Sequence, residues 1–307
     1  KIVGAKKKEV VVTHSLTTNL HLLLISFYRP TKKRFKILCE KKAFPSDQYA
    51  LHSQIELHNL NPKDCLVEIE PRNGEEIIRN EDVLSRIQEI GEELALIMIG
   101  GVNYYSGQVF DMKNITKKGH EVGAFVGFDL AHGVGNILLN LNDWEVDFAA
   151  WCSYKYLNSG PGGVSGMYVN ERHVDNPEIF RLAGWWGHNK KDRFQMPDQF
   201  NPIPTAESWQ LSNAPVLSMA AHKASLDLFT EVGMKKLRKK SILLTNFMEF
   251  IIENINENSS SSLEIITPKN INHRGCQLSI IAHGFGKDLF EELSKNHIVV
   301  DLSLIHI

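Results

Sequence analysis

Residues 126–156 read VGFDLAHGVGNILLNLNDWEVDFAAWCSYKY, and two apolar runs in this region each deliver a charged residue. The first run, residues 124–128, is followed directly by Asp129. The second run, residues 146–151, is followed four residues later by Lys155. Short apolar runs bounded by polar or glycine-rich turns are typical of buried strands. In a parallel sheet the carboxyl ends of the strands meet at one edge, where ligands bind. The stretch therefore predicts an acid and a lysine close together above a sheet.

The first part of the chain alternates between strand-like and helix-like patterns. Strands are predicted at residues 9–13, 35–39, 66–69, 94–99, 124–128, 146–150 and 164–169. Helical periods lie between them, at residues 20–27, 47–60, 80–90 and 115–121. This βαβ rhythm predicts an α/β fold with a mostly parallel sheet and helices on both faces. We expect residues 1–234 to form this large domain.

The pattern changes near residue 215. Two long helices are predicted at residues 215–231 and 234–256, followed by strands at 263–266 and 275–282, a helix at 287–295 and an apolar run at 298–300. We interpret residues 235–307 as a smaller α+β domain that is incomplete, because a further helix would be needed to cover its sheet.

A lysine facing a carboxylate is the arrangement that a pyridoxal-phosphate (PLP) enzyme requires. The lysine forms a Schiff base with the cofactor aldehyde, and the carboxylate keeps the pyridine nitrogen protonated so that the ring accepts electrons. Taken singly, Lys155 is more often a surface lysine, and Asp129 is a candidate cap of a helix that begins at Leu130. Taken together, they favour a cofactor site. His132 either contacts the cofactor or is an ordinary hydrogen-bonded histidine.

Other residues are candidates for the remaining contacts with the cofactor. Thr17 and Thr18 precede a helix, whose N-terminus is either an anion site for the phosphate or simply capped. Tyr154 is a candidate phosphate ligand or proton relay, with a structural role equally open. Phe44 and the nearby Asp47 follow a strand: either the aromatic ring covers the pyridine face and Asp47 caps the next helix, or the segment is simply a turn. Trp185 and Asn213 lie in loops rich in glycine or proline and are either ligand and interface groups or packing residues.

Composition limits the classes of partner. A net charge of −2 gives no reason to expect nucleic acid or a membrane surface as a partner. The cysteines Cys39, Cys65, Cys152 and Cys276 lie far apart without a CxxC pair, so neither a metal site nor a disulfide framework is expected. Free cysteines fit a reducing, cytoplasmic location.

Several segments closely resemble kynureninase, over about residues 9 to 300. They are LTTNLHLLL (16–24), KAFPSD (42–47), GFDLAHGVGN (127–136), DWEVDFAAWCSYKYLNSGPGG (143–163), GWWGH (184–188) and RGCQLSI (274–280). The resemblance implies the aspartate-aminotransferase-like fold of PLP fold-type I, and homodimers whose active sites are shared between subunits. It also implies hydrolysis of L-kynurenine or 3-hydroxy-L-kynurenine to anthranilate or 3-hydroxyanthranilate plus L-alanine, in tryptophan catabolism and NAD biosynthesis.

The resemblance also implies a role for each candidate residue. Lys155 would be the Schiff-base lysine and Asp129 the partner of the pyridinium. The other cofactor contacts implied are Leu16 and Thr17 at the phosphate, Phe44 stacked on the ring with Asp47 close by, His132 and Tyr154 beside it, and Trp185 and Asn213 from the partner subunit.

The chain departs from the family pattern in places. Gly100 stands where the family commonly has a serine that contacts the cofactor. The family has an N-terminal segment that helps to form the substrate site and a C-terminal arginine that binds the substrate carboxylate. Neither has a counterpart in this sequence. We therefore expect a fragment, with an atypical tail after Val300. The alternatives are a cysteine desulfurase-like enzyme, although such enzymes carry histidine where Tyr154 stands, and a non-catalytic remnant that binds PLP.

Overall fold

The computed structural model of the chain has a seven-stranded sheet at its centre. The structure describes residues 1–260 and 262–302. The end of the predicted small domain, residues 303–307, lies outside the described residues. Within the described ranges no helix combines the length and the apolar character needed to cross a membrane.

From β1 to β5 the strands alternate with helices as the sequence predicts, whereas β5, β6 and β7 follow one another without a helix between them. The strands are β1 (Val10–Val12), β2 (Lys36–Glu40), β3 (Leu66–Ile69), β4 (Leu94–Gly100), β5 (Phe125–Asp129), β6 (Phe148–Trp151), β7 (Gly166–Val169), β8 (Ser262–Ile265) and β9 (Ile280–His283). The helices are α1 (Leu16–Phe27), α2 (Pro45–Leu57), α3 (Pro62–Cys65), α4 (Asn80–Ile90), α5 (Met112–Glu121), α6 (Glu171–Val174), α7 (Val216–Val232), α8 (Met234–Asn258) and α9 (Asp288–Lys295).

The large sheet has the strand order β1-β7-β6-β5-β4-β2-β3. The pairs β3/β2, β2/β4, β4/β5 and β5/β6 are parallel, whereas β7 lies antiparallel to both β6 and β1. The predicted α/β fold with a mostly parallel sheet is therefore confirmed. Four adjacent parallel strands, β2, β4, β5 and β6, bring their carboxyl ends to one edge, and this edge carries the candidate site.

Both faces of this sheet are buried, which explains why its strands are apolar without a polar alternation. In β4, Leu96 and Met98 point to the face covered by α1 and α2, and Ile97 and Ile99 point to the face covered by α4 and α5. Successive side chains of a strand point to opposite faces, so each strand feeds both cores. The helices on both faces are as predicted.

Within the described residues, the second sheet consists of the antiparallel pair β8/β9. Its second strand begins at Ile280, later than the predicted start at residue 275. The side chain of Gln277 donates to the Tyr104 carbonyl at 2.9 Å, and Thr267 donates to the Ser106 carbonyl at 2.6 Å. The stretch before β9 is thus held by the turn that follows β4, and its pairing with the first strand of the sheet continues only to the hydrogen bond from the Ile266 N–H to the Ser279 carbonyl at 3.0 Å. The predicted apolar run at 298–300 forms neither helix nor strand, and the predicted domain boundary at residue 235 stays a prediction.

A buried ionic cluster lies at the amino ends of β5 and β6, opposite the strand ends that carry the candidate site. Asp147 is 2% exposed and accepts hydrogen bonds from Arg172 Nη2 (2.5 Å), His173 Nε2 (2.7 Å) and His120 Nε2 (2.9 Å). It also accepts from the Val126 backbone N–H at 2.7 Å. Burial opposes ionisation of Asp147, yet these hydrogen bonds and the Arg172 charge hold its pKa well below the usual range.

Replacing Asp147 by asparagine is expected to destabilise the fold by about 3 kcal/mol at pH 7, because Arg172 and two histidines lose a buried anion. A depressed carboxyl pKa contributes stability that is complete above the unfolded-state value near 3.9 and is lost as pH falls below it. The variant should therefore also lose part of the acid-induced decline below about pH 5. Denaturant unfolding between pH 3 and 8 measures both effects. The exposed Asp143→Asn is the control, and equal stability of the two variants would contradict the assignment.

Candidate active site

An open cavity of about 870 Å³, including the solvent at its mouth, lies at the carboxyl ends of the parallel strands. The residues that line it come from the N-termini of α1 and α2, the ends of β2, β4 and β5, and the turns that follow β4, β5 and β6. They are Ser15, Leu16, Thr17, Glu40, Phe44, Ser46, Asp47, Gly100, Val102, Tyr104, Asp129, Ala131, His132, Tyr154 and Lys155.

Lys155 enters the cavity from the turn after β6. Its Nζ lies 3.1 Å from His132 Nε2 and 5.4 Å from the centre of the Phe44 ring. The amine is partly buried and is not one of the ion-paired groups within residues 1–260 and 262–302. A lysine amine held by an imidazole beside an aromatic face is positioned to react with a carbonyl carbon.

Asp129 ends β5 and is 8% exposed. One carboxyl oxygen accepts a hydrogen bond from the Ala131 backbone N–H at 2.6 Å, so the residue caps a turn of residues 130–136, and no helix begins at Leu130. Burial raises the pKa of Asp129, and the Ala131 N–H and the Lys155 charge oppose that rise. Asp129 is therefore a buried carboxylate whose ionised form depends on a cation in the cavity.

Asp47 lies against Asp129 in the first turn of α2 and is equally buried. Burial, followed by the charges of Asp129 and Glu40, raises the pKa of Asp47 well above its ordinary value. The hydrogen bond between the two carboxyls raises the pKa of Asp47 and lowers that of Asp129. Asp47 thus holds the shared proton and donates it, and Asp129 is the ionised partner.

His132 is an uncharged imidazole at neutral pH. Burial, helped by the Lys155 charge, lowers its pKa to about 4. Its Nε2 faces the Lys155 amine, while its Nδ1 is buried and has no hydrogen-bond partner among the described residues. The Asn136 side chain donates to the His132 carbonyl at 2.9 Å and accepts from the Cys276 N–H at 2.9 Å. The turn that carries the imidazole is therefore fixed from both sides.

The N-terminus of α1 opens into the same cavity. Leu16 is buried, Thr17 and Thr18 are exposed, and Ser15 gives the helix no side-chain cap within the described part of the chain. Its hydroxyl pairs instead with that of Thr18 at 2.9 Å. The first N–H groups of a helix of 12 residues remain available there, which suits an anion.

Tyr154 occupies the rim of the cavity. It is 47% exposed, and its hydroxyl contacts the buried Cys152 thiol. Burial, together with Cys152, raises the pKa of Tyr154, so the phenol is protonated and able to donate at neutral pH.

The structure brings together all but two of the sequence-predicted site residues. Trp185 and Asn213 are exposed and do not line the cavity. Trp185 donates to the Arg193 carbonyl at 3.2 Å and packs edge-on against Phe194, with ring centres 5.4 Å apart. Among the described residues, no group of three or more His, Cys, Asp or Glu side chains is arranged to hold a metal ion.

Glu40 and Tyr104 are titratable residues of the cavity that sequence reasoning missed. Glu40 ends the apolar strand β2 as Asp129 ends β5, but it is followed by two lysines that suggest a solvated turn. Tyr104 lies in the turn after β4 and packs edge-on against Phe44, with ring centres 5.5 Å apart. The end of an apolar strand was the available signal for Glu40, whereas nothing in the sequence near Tyr104 predicted its contact.

Comparisons with known proteins agree with this geometry. The family model for Aminotransferase class-V matches residues 1–301. The chain is similar to a kynureninase of Flavobacterium psychrophilum, with 57% identity over 301 residues, 98% of this chain and 71% of that protein. It is also similar to the kynureninase of Homo sapiens, with 47% identity over 98% of this chain and 65% of that protein.

Solved structures share the fold at low sequence identity. An apo cysteine desulfurase from Thermococcus onnurineus superposes with a TM-score of 0.74 at 18% identity, covering 97% of this chain and 70% of that one. The cystine C-S lyase C-DES gives a TM-score of 0.78 at 16% identity, covering 98% and 76%. These neighbours identify the fold as PLP fold-type I, and the far higher sequence identities place the chain in the kynureninase family.

Proposed function

We propose that this chain cleaves the Cβ–Cγ bond of L-kynurenine or 3-hydroxy-L-kynurenine by hydrolysis, giving anthranilate or 3-hydroxyanthranilate and L-alanine. The observation that carries the proposal is the Lys155 amine in one cavity with the buried Asp129 carboxylate, in a chain 57% identical to a kynureninase. In contrast, the desulfurase neighbour shares 18% identity and supports the fold alone. The pathway roles are those of tryptophan catabolism and NAD biosynthesis.

The residues of the cavity fit PLP as the cofactor. Asp129 is buried and needs a cation, which a protonated pyridine nitrogen supplies. The uncapped N-terminus of α1, with Leu16 and Thr17, suits the phosphate, and the exposed face of Phe44 suits the ring. Lys155 would hold the group covalently. The orphaned Nδ1 of His132 is a further buried polar atom that a bound group could satisfy.

PLP supplies, when bound, a ring that accepts the electron pair released at the substrate Cα. The protein must keep that ring protonated and must move protons at the substrate. Asp129 meets the first need in its ionised form, which the proton held on Asp47 maintains. Lys155 meets the second, because its amine, hydrogen-bonded to a neutral His132, can take the Cα proton.

Hydrolysis also needs water at the γ-carbonyl and a donor for the group that leaves. Tyr154 lies at the solvent-exposed rim and is protonated at neutral pH. We infer that its hydroxyl relays the proton during cleavage, with the Cys152 thiol orienting it from below.

We further infer that the chain acts as a cytoplasmic homodimer with shared active sites. Trp185 and Asn213 lie in exposed loops outside the cavity of their own chain, where a second copy could receive them. Free cysteines support the cytoplasmic location. The large domain of residues 1–234 would supply the cofactor site, and the domain from residue 235 would close over it.

The Lys155→Ala variant is expected to lose the visible absorbance of bound PLP and to reduce kynurenine cleavage about 10³-fold or more. The reason is that one amine both holds the cofactor and moves the proton. Absorbance spectra and anthranilate fluorescence are the measurements. The exposed Lys223→Ala on α7 is the matched control, and an unchanged yellow band in Lys155→Ala would show that the lysine is misassigned.

A mixture of two inactive variants tests the shared site. Asn213→Ala removes a residue offered to the partner, and Lys155→Ala removes one used in its own chain. Co-assembly of equal amounts should restore about a quarter of the wild-type activity, because half of the dimers are mixed and each has one intact site. Mixing Lys155→Ala with Asp129→Asn should restore none, since both lie in one cavity. No recovery in the first mixture would reject the shared site.

His132 is expected to stay neutral down to about pH 4, whereas an ordinary histidine titrates near 6.5. A lowered histidine pKa means that protonation opposes folding, so stability should fall as pH drops below 6.5. Histidine ring resonances followed by NMR between pH 3.5 and 8 would measure this, and His132→Gln assigns the signal. A His132 midpoint near 6.5 would contradict the assignment.

A further inference from the structure

Glu40 is a buried carboxyl of the cavity that the proposed mechanism does not use. It is the last residue of β2 and is 4% exposed. Its two carboxyl oxygens accept hydrogen bonds from the Gly100 N–H at 3.0 and 3.2 Å. Gly100 is in turn the register partner of Asp129 across β4 and β5. Gly100 therefore connects Glu40 to Asp129, the buried carboxylate at the end of β5.

Among the described residues, the titratable groups that interact with Glu40 are acids, a phenol and a thiol, although Lys155 lines the same cavity. They are Asp129 from β5, Asp47 from α2, Tyr104 from the turn after β4 and Cys39 on its own strand. Glu40 takes part in no ion pair within residues 1–260 and 262–302. Burial first, and then the charge of Asp129, raise the pKa of Glu40 to about 7, against the pull of the backbone N–H groups.

Gly100 leaves the space that Glu40 fills. A Cβ atom built on Gly100 would lie 2.9 Å from Glu40 Oε1, so a larger residue at this position would require the carboxyl to move. The absence of a side chain at Gly100 therefore leaves room for the Glu40 carboxyl to sit on the Gly100 N–H and to line the cavity.

We propose that Glu40 is a positioning residue of the cofactor site: its carboxyl, fixed on the Gly100 N–H, sets the charge beside Asp129 and so tunes the proton affinity of the cofactor. The effect of Glu40 on the cofactor rests on the proposed function, whereas the protonation state of Glu40 does not. Three neighbouring carboxyls cannot all be ionised in a buried site. Below neutral pH, Glu40 keeps its proton and leaves Asp129 as the anion. Above neutral pH, its charge raises the proton affinity of the groups around Asp129.

The first measurement needs neither substrate nor turnover. The whole chain is labelled with ¹³C at glutamate carboxyls and titrated by NMR, with and without added PLP. One glutamate resonance should titrate near pH 7 in the wild type and should be missing in Glu40→Gln. The control Glu68→Gln, an exposed carboxylate on the adjacent strand β3, should keep it. If no glutamate titrates between pH 6 and 8, the proposal is wrong.

The second measurement follows the visible absorbance of bound PLP against pH. Above pH 7 the wild type carries a negative charge on Glu40 that Glu40→Gln lacks, and this charge favours the protonated form of the cofactor. The midpoint of the absorbance change should therefore lie about 1 pH unit lower in the variant than in the wild type. Glu68→Gln should match the wild type. Equal midpoints in Glu40→Gln and wild type would reduce Glu40 to a packing role and overturn the proposal.

A second variant keeps the test decisive if Glu40→Gln does not fold. Gly100→Ala places a methyl group against Oε1 and should move the glutamate titration away from its wild-type midpoint. An unmoved midpoint would overturn the assignment to Glu40. A chain that shows the titration and the PLP shift, but does not release anthranilate from kynurenine, would reject the proposed reaction and leave the inference about Glu40 standing.

Discussion

The burial of the Asp129 carboxylate is the constraint on which the candidate site depends. A carboxylate with 8% exposure at the end of an apolar strand is costly unless cations and donors surround it. The fold supplies the Ala131 N–H, the proton on Asp47 and the charge of Lys155. Each of these groups offsets only part of the free energy needed to bury the ionised Asp129 carboxylate. A further cation in the cavity would offset more of it, which is why the cavity suits a protonated ring.

The parallel register of the sheet brings these groups together. Gly127, Phe128 and Asp129 of β5 pair in parallel with residues 148–150 of β6, so the turn after β6 emerges beside the end of β5. Lys155 needs only that short turn to reach the cavity. The ionic cluster of Asp147, Arg172, His120 and His173 binds the amino ends of the same strands. The buried Asp147 charge is thus paired at the end of the strands opposite the site.

The sequence predicted those parts of the site that local pattern determines. Asp129 and Lys155 follow apolar runs, and the helix after Thr17 has a clear period, so their positions followed from the strand–helix alternation. Glu40 carries the same signal, but burial of a charge depends on what the neighbouring strand leaves open. That space is created by Gly100, 60 residues further along the chain. A contact of this kind has no local pattern and could not be predicted.

The same distinction explains the elements whose limits differ from the prediction. An apolar run from residue 275 suggests one strand, yet Gln277 bonds to the turn after β4 and the ladder begins only at Ile280. This turn carries Tyr104, which packs on Phe44, and it begins next to Gly100, which holds Glu40. Gln277 therefore links the segment that precedes β9 to the turn beside the cavity, because its side chain donates to the Tyr104 and Tyr105 carbonyls at 2.9 and 3.2 Å. A tertiary contact of this kind sets where the strand begins, and the local apolar pattern does not contain it.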